Sequence, residues 1–200
     1  MSVCESEERG RVPGDEYLEK AKKLWENTEL VYSSSHIDKA IASLAEKMNA
    51  KFADENPIIV CVLAGAATFM GQLLTKLSFY LQTDFVRVAS FSGDKRGELV
   101  WDTKPKLDCA GRTVIIVDDV IDSGLTFAEL VRFYKESGAK AVYTVAFFDK
   151  IHARCEKGLQ NVDFCGVALE ENHFLIGYGL DYHGYFRNLP DVYIYKGKNE

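Results

Sequence analysis

The stretch from Val114 to Thr126, VIIVDDVIDSGLT, constrains this chain more than any other. Its first four residues are apolar without a break, as in a strand covered on both faces of a sheet. Two adjacent carboxylates, Asp118 and Asp119, close the run, and Asp122 follows. Ser123-Gly124-Leu125-Thr126 then turns into a helical period, with Phe127, Leu130, Val131 and Tyr134 on one face and Gly138 as a stop. A buried strand that hands over to a helix belongs to an α/β fold, a mainly parallel central sheet flanked by helices.

The rest of the chain repeats that alternation. Residues 57–63 (PIIVCVL) form a second unbroken apolar run, interrupted at Gly65, and Phe69, Leu73, Leu74 and Leu77 follow at helical spacing. Residues 84–91, 141–148, 162–169, 174–176 and 192–195 read as extended. Upstream, Tyr17, Leu18, Ala21, Leu24 and Trp25 predict a short helix. Ser35 with Asp38 predicts an N-cap for a second helix, whose inner face is Ile37, Ile41, Leu44 and Met48. Residues 1–13 are polar and expected to be loose, leaving 14–200 as one domain. The charged stretch 92–109 is expected to be a long loop or irregular hairpin, with a mobile lid near 92–106.

Bulk properties exclude several classes. With 47% hydrophobic and 27% charged residues, the composition is that of a folded soluble domain. A net charge of -6 argues against a nucleic-acid partner, which needs a basic footprint. The N-terminus is acidic and polar rather than a signal peptide, and no run approaches the ~20 apolar residues of a membrane span. The cysteines (Cys4, Cys61, Cys109, Cys155 and Cys165) show no CxxC or metal spacing and read as reduced thiols of a cytoplasmic protein.

The chemistry concentrates after the 114–117 run, because ligands of open parallel sheets lie beyond the carboxyl ends of strands. Neighbouring strand residues face opposite ways, so Asp118 and Asp119 are expected to play different roles. Gly124 can aim successive N–H groups at one point, with Ser123 and Thr126 adding hydroxyls and the helix start a favourable partial charge. That arrangement suits a phosphate. Asp122 would repel a phosphate and is expected to face another part of the ligand, as a general base or hydrogen-bond acceptor. Acids and phosphate cradle together suit a phosphorylated ribose carrying magnesium. Any one of these residues alone is more often a helix cap; it is the full string that points to function. A response-regulator receiver also places paired aspartates at a strand end, but near its start and with a phosphoacceptor one β-α unit later, which this chain fits poorly.

The segment resembles the phosphoribosyl pyrophosphate motif of type I phosphoribosyltransferases, and most closely the hypoxanthine-guanine (6-oxopurine) phosphoribosyltransferases. The resemblance covers roughly residues 30–195. It extends to Phe174-Leu175-Ile176-Gly177-Tyr178-Gly179-Leu180-Asp181-Tyr182, running on to Arg187, and to Phe147-Phe148-Asp149-Lys150, where the family ends a strand with a lysine. It implies the type I fold with a small hood built from terminal segments. It implies transfer of a phosphoribosyl group from phosphoribosyl pyrophosphate to hypoxanthine or guanine, with Mg2+, in a homodimer or homotetramer.

The implied roles follow residue by residue. Asp118 and Asp119 would bind the ribose hydroxyls and the magnesium shell, Asp122 would be the general base at purine N7, and Ser123, Gly124, Leu125 and Thr126 would hold the 5′-phosphate. Lys150 would bind substrate. Phe174 would stack on the purine, and Leu175 would read its edge through the backbone. Asp181 would contact magnesium and Arg187 pyrophosphate. Ala64-Gly65 would form the pyrophosphate loop, with Ala64 standing where the family often has a basic residue. The lid's usual Ser-Tyr pair is matched only by Ser90-Phe91 or Phe91-Ser92. Asn161, ahead of Asp163-Phe164-Cys165-Gly166, stands where a lysine is expected to meet the purine 6-oxo group, with Lys157 as a substitute. Loss of that charge is expected to favour hypoxanthine and guanine over xanthine. The alternative is a regulator on the same fold that senses the phosphoribosyl donor without catalysis.

Overall fold

A computed structural model of the chain describes residues 14–88 and 100–197. Its elements are α1 (Gly14–Trp25), β1 (Thr28–Tyr32), α2 (Ser34–Phe52), β2 (Ile58–Val62), α3 (Ala66–Leu74), β3 (Gln82–Val88), β4 (Trp101–Thr103), β5 (Thr113–Ile121), α4 (Leu125–Glu136), β6 (Ala141–Lys150), β7 (Phe164–Leu169), β8 (Leu175–Ile176) and β9 (Val192–Tyr195). The main sheet has the order β4-β3-β2-β5-β6-β7, parallel except for β4 at its edge.

The unbroken apolar runs are the central strands, and their period-two alternation feeds two cores. Ile59, Cys61, Ile115, Val117, Val145 and Phe147 pack with α2 and α3 on one face. Ile58, Val60, Val62, Val114, Ile116 and Ala146 pack with α4 on the other. Each such side chain, fully removed from water, contributes about 1.5–3 kcal/mol, so a strand buried along both faces cannot slip by one residue.

A second, three-stranded antiparallel sheet, β1-β9-β8, combines an early segment with the two last strands. This is the expected hood. Strand β1 was not legible in the sequence because its five residues (TELVY) alternate poorly and only pair with β9, far along the chain.

Three local expectations need correction. Helix α2 begins at Ser34 and is flanked by Ser33, so Ser35 lies inside it, and Asp38 bonds to Gln72 instead of completing a cap. The first N–H of α2 is met from the hood: Ser34 N donates to Asp191 Oδ1 at 2.6 Å. Strand β5 runs through Asp118 and Asp119 to Ile121 rather than ending at the pair, because it keeps pairing with β6 as far as Ile121↔Asp149. Third, β3 starts at Gln82, two residues before the expected start, and residues 89–91 lie outside the described residues. In the 92–109 stretch the irregular hairpin is the alternative that holds: β4 pairs antiparallel with β3, with a register shift, and Trp101 meets the Phe133 ring edge-on at 4.9 Å. The return of that stretch is anchored where buried Asp84 accepts from Lys106 N at 2.7 Å and Leu107 N at 2.9 Å. The lid's residues 92–99, including Ser92, lie outside the described residues, as does the Ser90-Phe91 pair.

Candidate active site

The strand order reverses between β2 and β5, since the chain winds outward from β2 to β3 and from β5 to β6 and β7. A crevice at the carboxyl ends of the strands is the expected ligand position at such a switch point. Residues 63–65 leave β2 there and Asp118 to Asp122 leave β5. The Leu63–Ala64 peptide is cis. Gly65 is buried, and a side chain on it would overlap the Asp119 carboxylate on one side; on the other, a side chain on Gly179 of the hood would overlap the Gly65 carbonyl. Glycine at 65 and 179 lets three chain segments meet at one point. Ala64 is exposed and brings no charge, as its sequence suggests.

Asp118 and Asp119 are partly buried and side by side. Asp118 Oδ1 accepts from Asp119 N at 2.9 Å, and Asp119 Oδ1 from Val120 N at 2.8 Å. Burial pushes the Asp118 carboxyl well above the usual carboxylate range, and the neighbouring Asp119 charge adds to it. Burial also raises Asp119, although its hydrogen bonds and the Arg187 charge oppose the rise. Asp119 lines the cavity described below and Asp118 does not, so the pair does divide as strand alternation requires.

The turn after β5 builds the cradle. Gly124 is left-handed at φ 79° and buried against residue 159, with no room for a Cβ. Its carbonyl accepts from Leu159 N at 2.9 Å and Ala128 N at 3.0 Å, and the Ser123 carbonyl accepts from Cys155 N at 3.1 Å. Ser123 Oγ accepts from Leu125 N at 3.4 Å. Thr126 sits in the first turn of α4, where backbone N–H groups lack intrahelical partners and no acidic side chain competes for an anion.

Asp122, just past the end of β5, and Lys150, the last residue of β6, turn toward each other, Lys150 Nζ to Asp122 Oδ2 at 3.1 Å. Lys150 is 12% exposed and Asp122 54%. Together with Asp119, Val120, Phe174, Leu175, Leu180 and Asp181 they line a cavity of about 270 Å³. Phe174 is 40% exposed, so it is a free aromatic face rather than a core residue, and Tyr182 meets it edge-on at 6.1 Å. Leu175 is buried in β8, which leaves its backbone as the group facing a ligand. Asp181 Oδ1 pairs with Arg187 Nη2 at 2.6 Å, and its Oδ2 accepts from Gly184 N at 2.6 Å. Arg187 also donates to the Gly179 carbonyl.

Of the substrate residues expected from sequence, Asn161 is not in this cluster. It is exposed and lies three residues before β7, whose start Phe164 pairs with Val145, whereas Lys150 pairs with Leu169 at the other end. Five strand steps at ~3.3 Å put the two ends of β7 about 17 Å apart, while Leu159, two residues before Asn161, bonds the Gly124 carbonyl. The adjoining Asp163 is structural: its carboxylate accepts from Thr144 N at 2.7 Å and Thr144 Oγ1 at 2.9 Å, tying β7 to β6. Lys150, not Asn161 or the exposed Lys157, is the basic group at the cavity. Sequence reasoning also missed Arg154, which reaches the backbone of both strand ends. Its only sequence signal was a charge following two strand-end residues.

Among the described residues, no group of three or more His, Cys, Asp or Glu side chains is placed to hold a metal by itself. The oxygen donors of Asp119 and Asp181 around one cavity nevertheless fit magnesium, which is usually bound through one or two carboxylates plus substrate phosphates. Among the described residues, no helix is long and apolar enough to cross a membrane.

Comparison with known proteins places this arrangement. The phosphoribosyl transferase domain model matches residues 28–183. A hypoxanthine-guanine-xanthine phosphoribosyltransferase of Tritrichomonas foetus is 34% identical over 168 residues, 84% of this chain and 91% of that protein. The hypoxanthine-guanine phosphoribosyltransferase of Bacillus subtilis is 32% identical over 169 residues, 84% of this chain and 92% of its own. The crystal structure of a Bacillus anthracis hypoxanthine-guanine phosphoribosyltransferase superposes with a TM-score of 0.76 at 25% identity, covering 83% of this chain and 95% of that one.

Proposed function

Since this chain belongs to the phosphoribosyltransferase family, we propose that it transfers the 5-phosphoribosyl group of phosphoribosyl pyrophosphate to a 6-oxopurine, hypoxanthine or guanine, forming the nucleoside monophosphate and pyrophosphate. One observation carries the reading: a single cavity joins Asp122, Lys150, Phe174 and Leu175 to Asp119 and Asp181. A flat base and a phosphorylated ribose can therefore meet in it.

In this reading Phe174 stacks on the purine with its exposed face. Lys150 donates to the 6-oxo group, and the Leu175 backbone reads the base edge. Asp122 accepts the N7 proton as N9 attacks C1 of the ribose. Its ion pair with Lys150 holds the carboxylate toward the base. Ser123 to Thr126 hold the 5′-phosphate, and Asp118 and Asp119 the ribose hydroxyls. Gly65 and Ala64 meet the pyrophosphate through the backbone and Arg187 through its guanidinium, which supplies the charge that Ala64 lacks. Asp181 and Asp119 would hold Mg2+. When bound, magnesium neutralises the charge that develops on pyrophosphate.

In this reading the Lys150 charge is available to xanthine as well as to hypoxanthine and guanine, and the base panel below decides the preference. The reading supports a cytoplasmic enzyme, consistent with four free cysteines among the described residues, and a homodimer or homotetramer, which light scattering would establish. Retention of the whole base pocket argues against the non-catalytic sensor. The decisive test mixes the protein with phosphoribosyl pyrophosphate, Mg2+ and hypoxanthine, guanine, xanthine or adenine. Nucleotide from the 6-oxopurines is expected; none from any base would overturn the proposal.

A further inference from the structure

We propose that Arg154 is a positioning residue for base recognition, clamping the ends of β5 and β6 so that Asp122 and Lys150 present their side chains to one purine. Arg154 does not line the cavity and reaches two of its residues, Asp122 and Lys150, through their carbonyls. Its side chain is only 7% exposed. Through Nη1 it donates to three carbonyls: Ile121 at 3.0 Å, Asp122 at 2.7 Å and Lys150 at 3.1 Å. Through Nη2 it pairs with the Asp149 carboxylate.

The location explains the need. The β5–β6 ladder stops at Ile121↔Asp149. Asp122 and Lys150 are where β5–β6 pairing gives out, although Lys150 still pairs with Leu169 of β7, yet they must hold a 3.1 Å separation. Lys150 is held by its pairing with β7, but no ladder pairing fixes Asp122 relative to it. Arg154 supplies that link, bonding carbonyls from both strand ends with one planar group. The Arg154 Nε is buried without a hydrogen-bond partner. An orphaned buried donor is unfavourable, so the terminal nitrogens, not the whole guanidinium, account for the residue's presence. A lysine has a single point-like ammonium and cannot span the same carbonyls while pairing with Asp149.

The neighbouring residues perform a separable task. Cys155 N and Leu159 N bond the Ser123 and Gly124 carbonyls of the phosphate cradle. A Cβ on Gly158 would overlap the Ser123 carbonyl. One connection between β6 and β7 thus braces both half-sites, the base side through the Arg154 side chain and the donor side through the backbone of residues 155–159.

The inference rests on the base-transfer reading, and the test separates the two. A wild type that makes no nucleotide defeats the reading; an active wild type is then compared with Arg154→Lys, Arg154→Ala and Gly158→Ala. Small misplacements of reacting groups cost large factors in rate, so Arg154→Lys should raise KM for hypoxanthine at least about tenfold while KM for phosphoribosyl pyrophosphate stays within about twofold. Gly158→Ala should do the reverse. Guanidinium ion, at concentrations far below denaturing, should partly restore Arg154→Ala, and methylammonium should not. Thermal unfolding checks each variant, and Arg154→Lys, which keeps a charge beside Asp149, carries the test if Arg154→Ala does not fold. Equal changes in both KM values, or none in a folded Arg154→Lys, overturn the proposal.

Discussion

Lys150→Met removes the charge that the proposed reading sets against the 6-oxo group of the base. Methionine keeps most of the lysine stem's volume, so the packing of a side chain that is 12% exposed is largely preserved. What is lost is a charged hydrogen bond to the 6-oxo group, about 1.5–3 kcal/mol, which is roughly 10–150-fold in kcat/KM for the base. Asp122 also loses its ion-pair partner, but at 54% exposure it stays solvated, and the fold should lose no more than about 1 kcal/mol. The assay is steady-state nucleotide formation with hypoxanthine at saturating phosphoribosyl pyrophosphate, repeated with purine itself, which has no 6-oxo group. The variant should lose the wild type's preference for hypoxanthine over purine while KM for the donor stays near wild type. Asn161→Ala, outside the lining of the cavity, should leave all of these within about twofold. Unchanged discrimination in Lys150→Met, or an equal loss in Asn161→Ala, would refute the placement of the base.

Three further outcomes are expected. Asp122→Asn should lower kcat by about 10²–10⁴ while donor affinity, measured by equilibrium binding, changes little, as general-base loss requires; matching losses in both would rule that role out. Gly65→Ala adds a methyl that collides with the Asp119 carboxylate and should weaken donor binding far more than base binding, so a variant with wild-type donor KM would contradict the packing seen there. Burial raises the Asp118 carboxyl above its unfolded value, so the folded state binds that proton more tightly. Its stabilising effect is therefore present at acid pH and is lost as pH rises through the ordinary carboxylate range to the raised value. Asp118→Asn, which can still accept from Asp119 N, should raise Tm of the ligand-free protein at pH 7 and flatten its pH dependence; a gain of about 1 kcal/mol corresponds to ~2–4 °C. A lowered Tm at pH 7 in the folded variant would count against the burial argument.

Much of the site was readable because its parts are local. The apolar run, the strand-end acids and the Ser123 to Thr126 turn are contiguous, and each element's chemistry follows from the one before it. Phe174 could be assigned only through its neighbours in sequence, and its 40% exposure is what separates a stacking face from a core residue. Asn161 precedes β7 and does not line the cavity, and sequence spacing does not reveal how the connection from β6 carries it there. Only the register of β7 with β6 shows that Phe164 pairs midway along β6 while Leu169 pairs with Lys150 at its carboxyl end. Strand β1 and the Asp191 contact that meets the start of α2 were invisible because their partners lie far along the chain.

The sequence by itself determined the sheet, the two cores and the donor half of the site. Period-two burial and an apolar run leave few ways to place a strand, and the acids and glycine turn are bound to its end. Only the tertiary structure decided the base half. It needed the order reversal between β2 and β5, the hood strand that brings Phe174 over the crevice, and the meeting of Asp122 with Lys150 beyond the last rung of the β5–β6 ladder. Those are contacts between segments that share no local pattern, so their positions follow from packing and register rather than from any residue's neighbours in the chain.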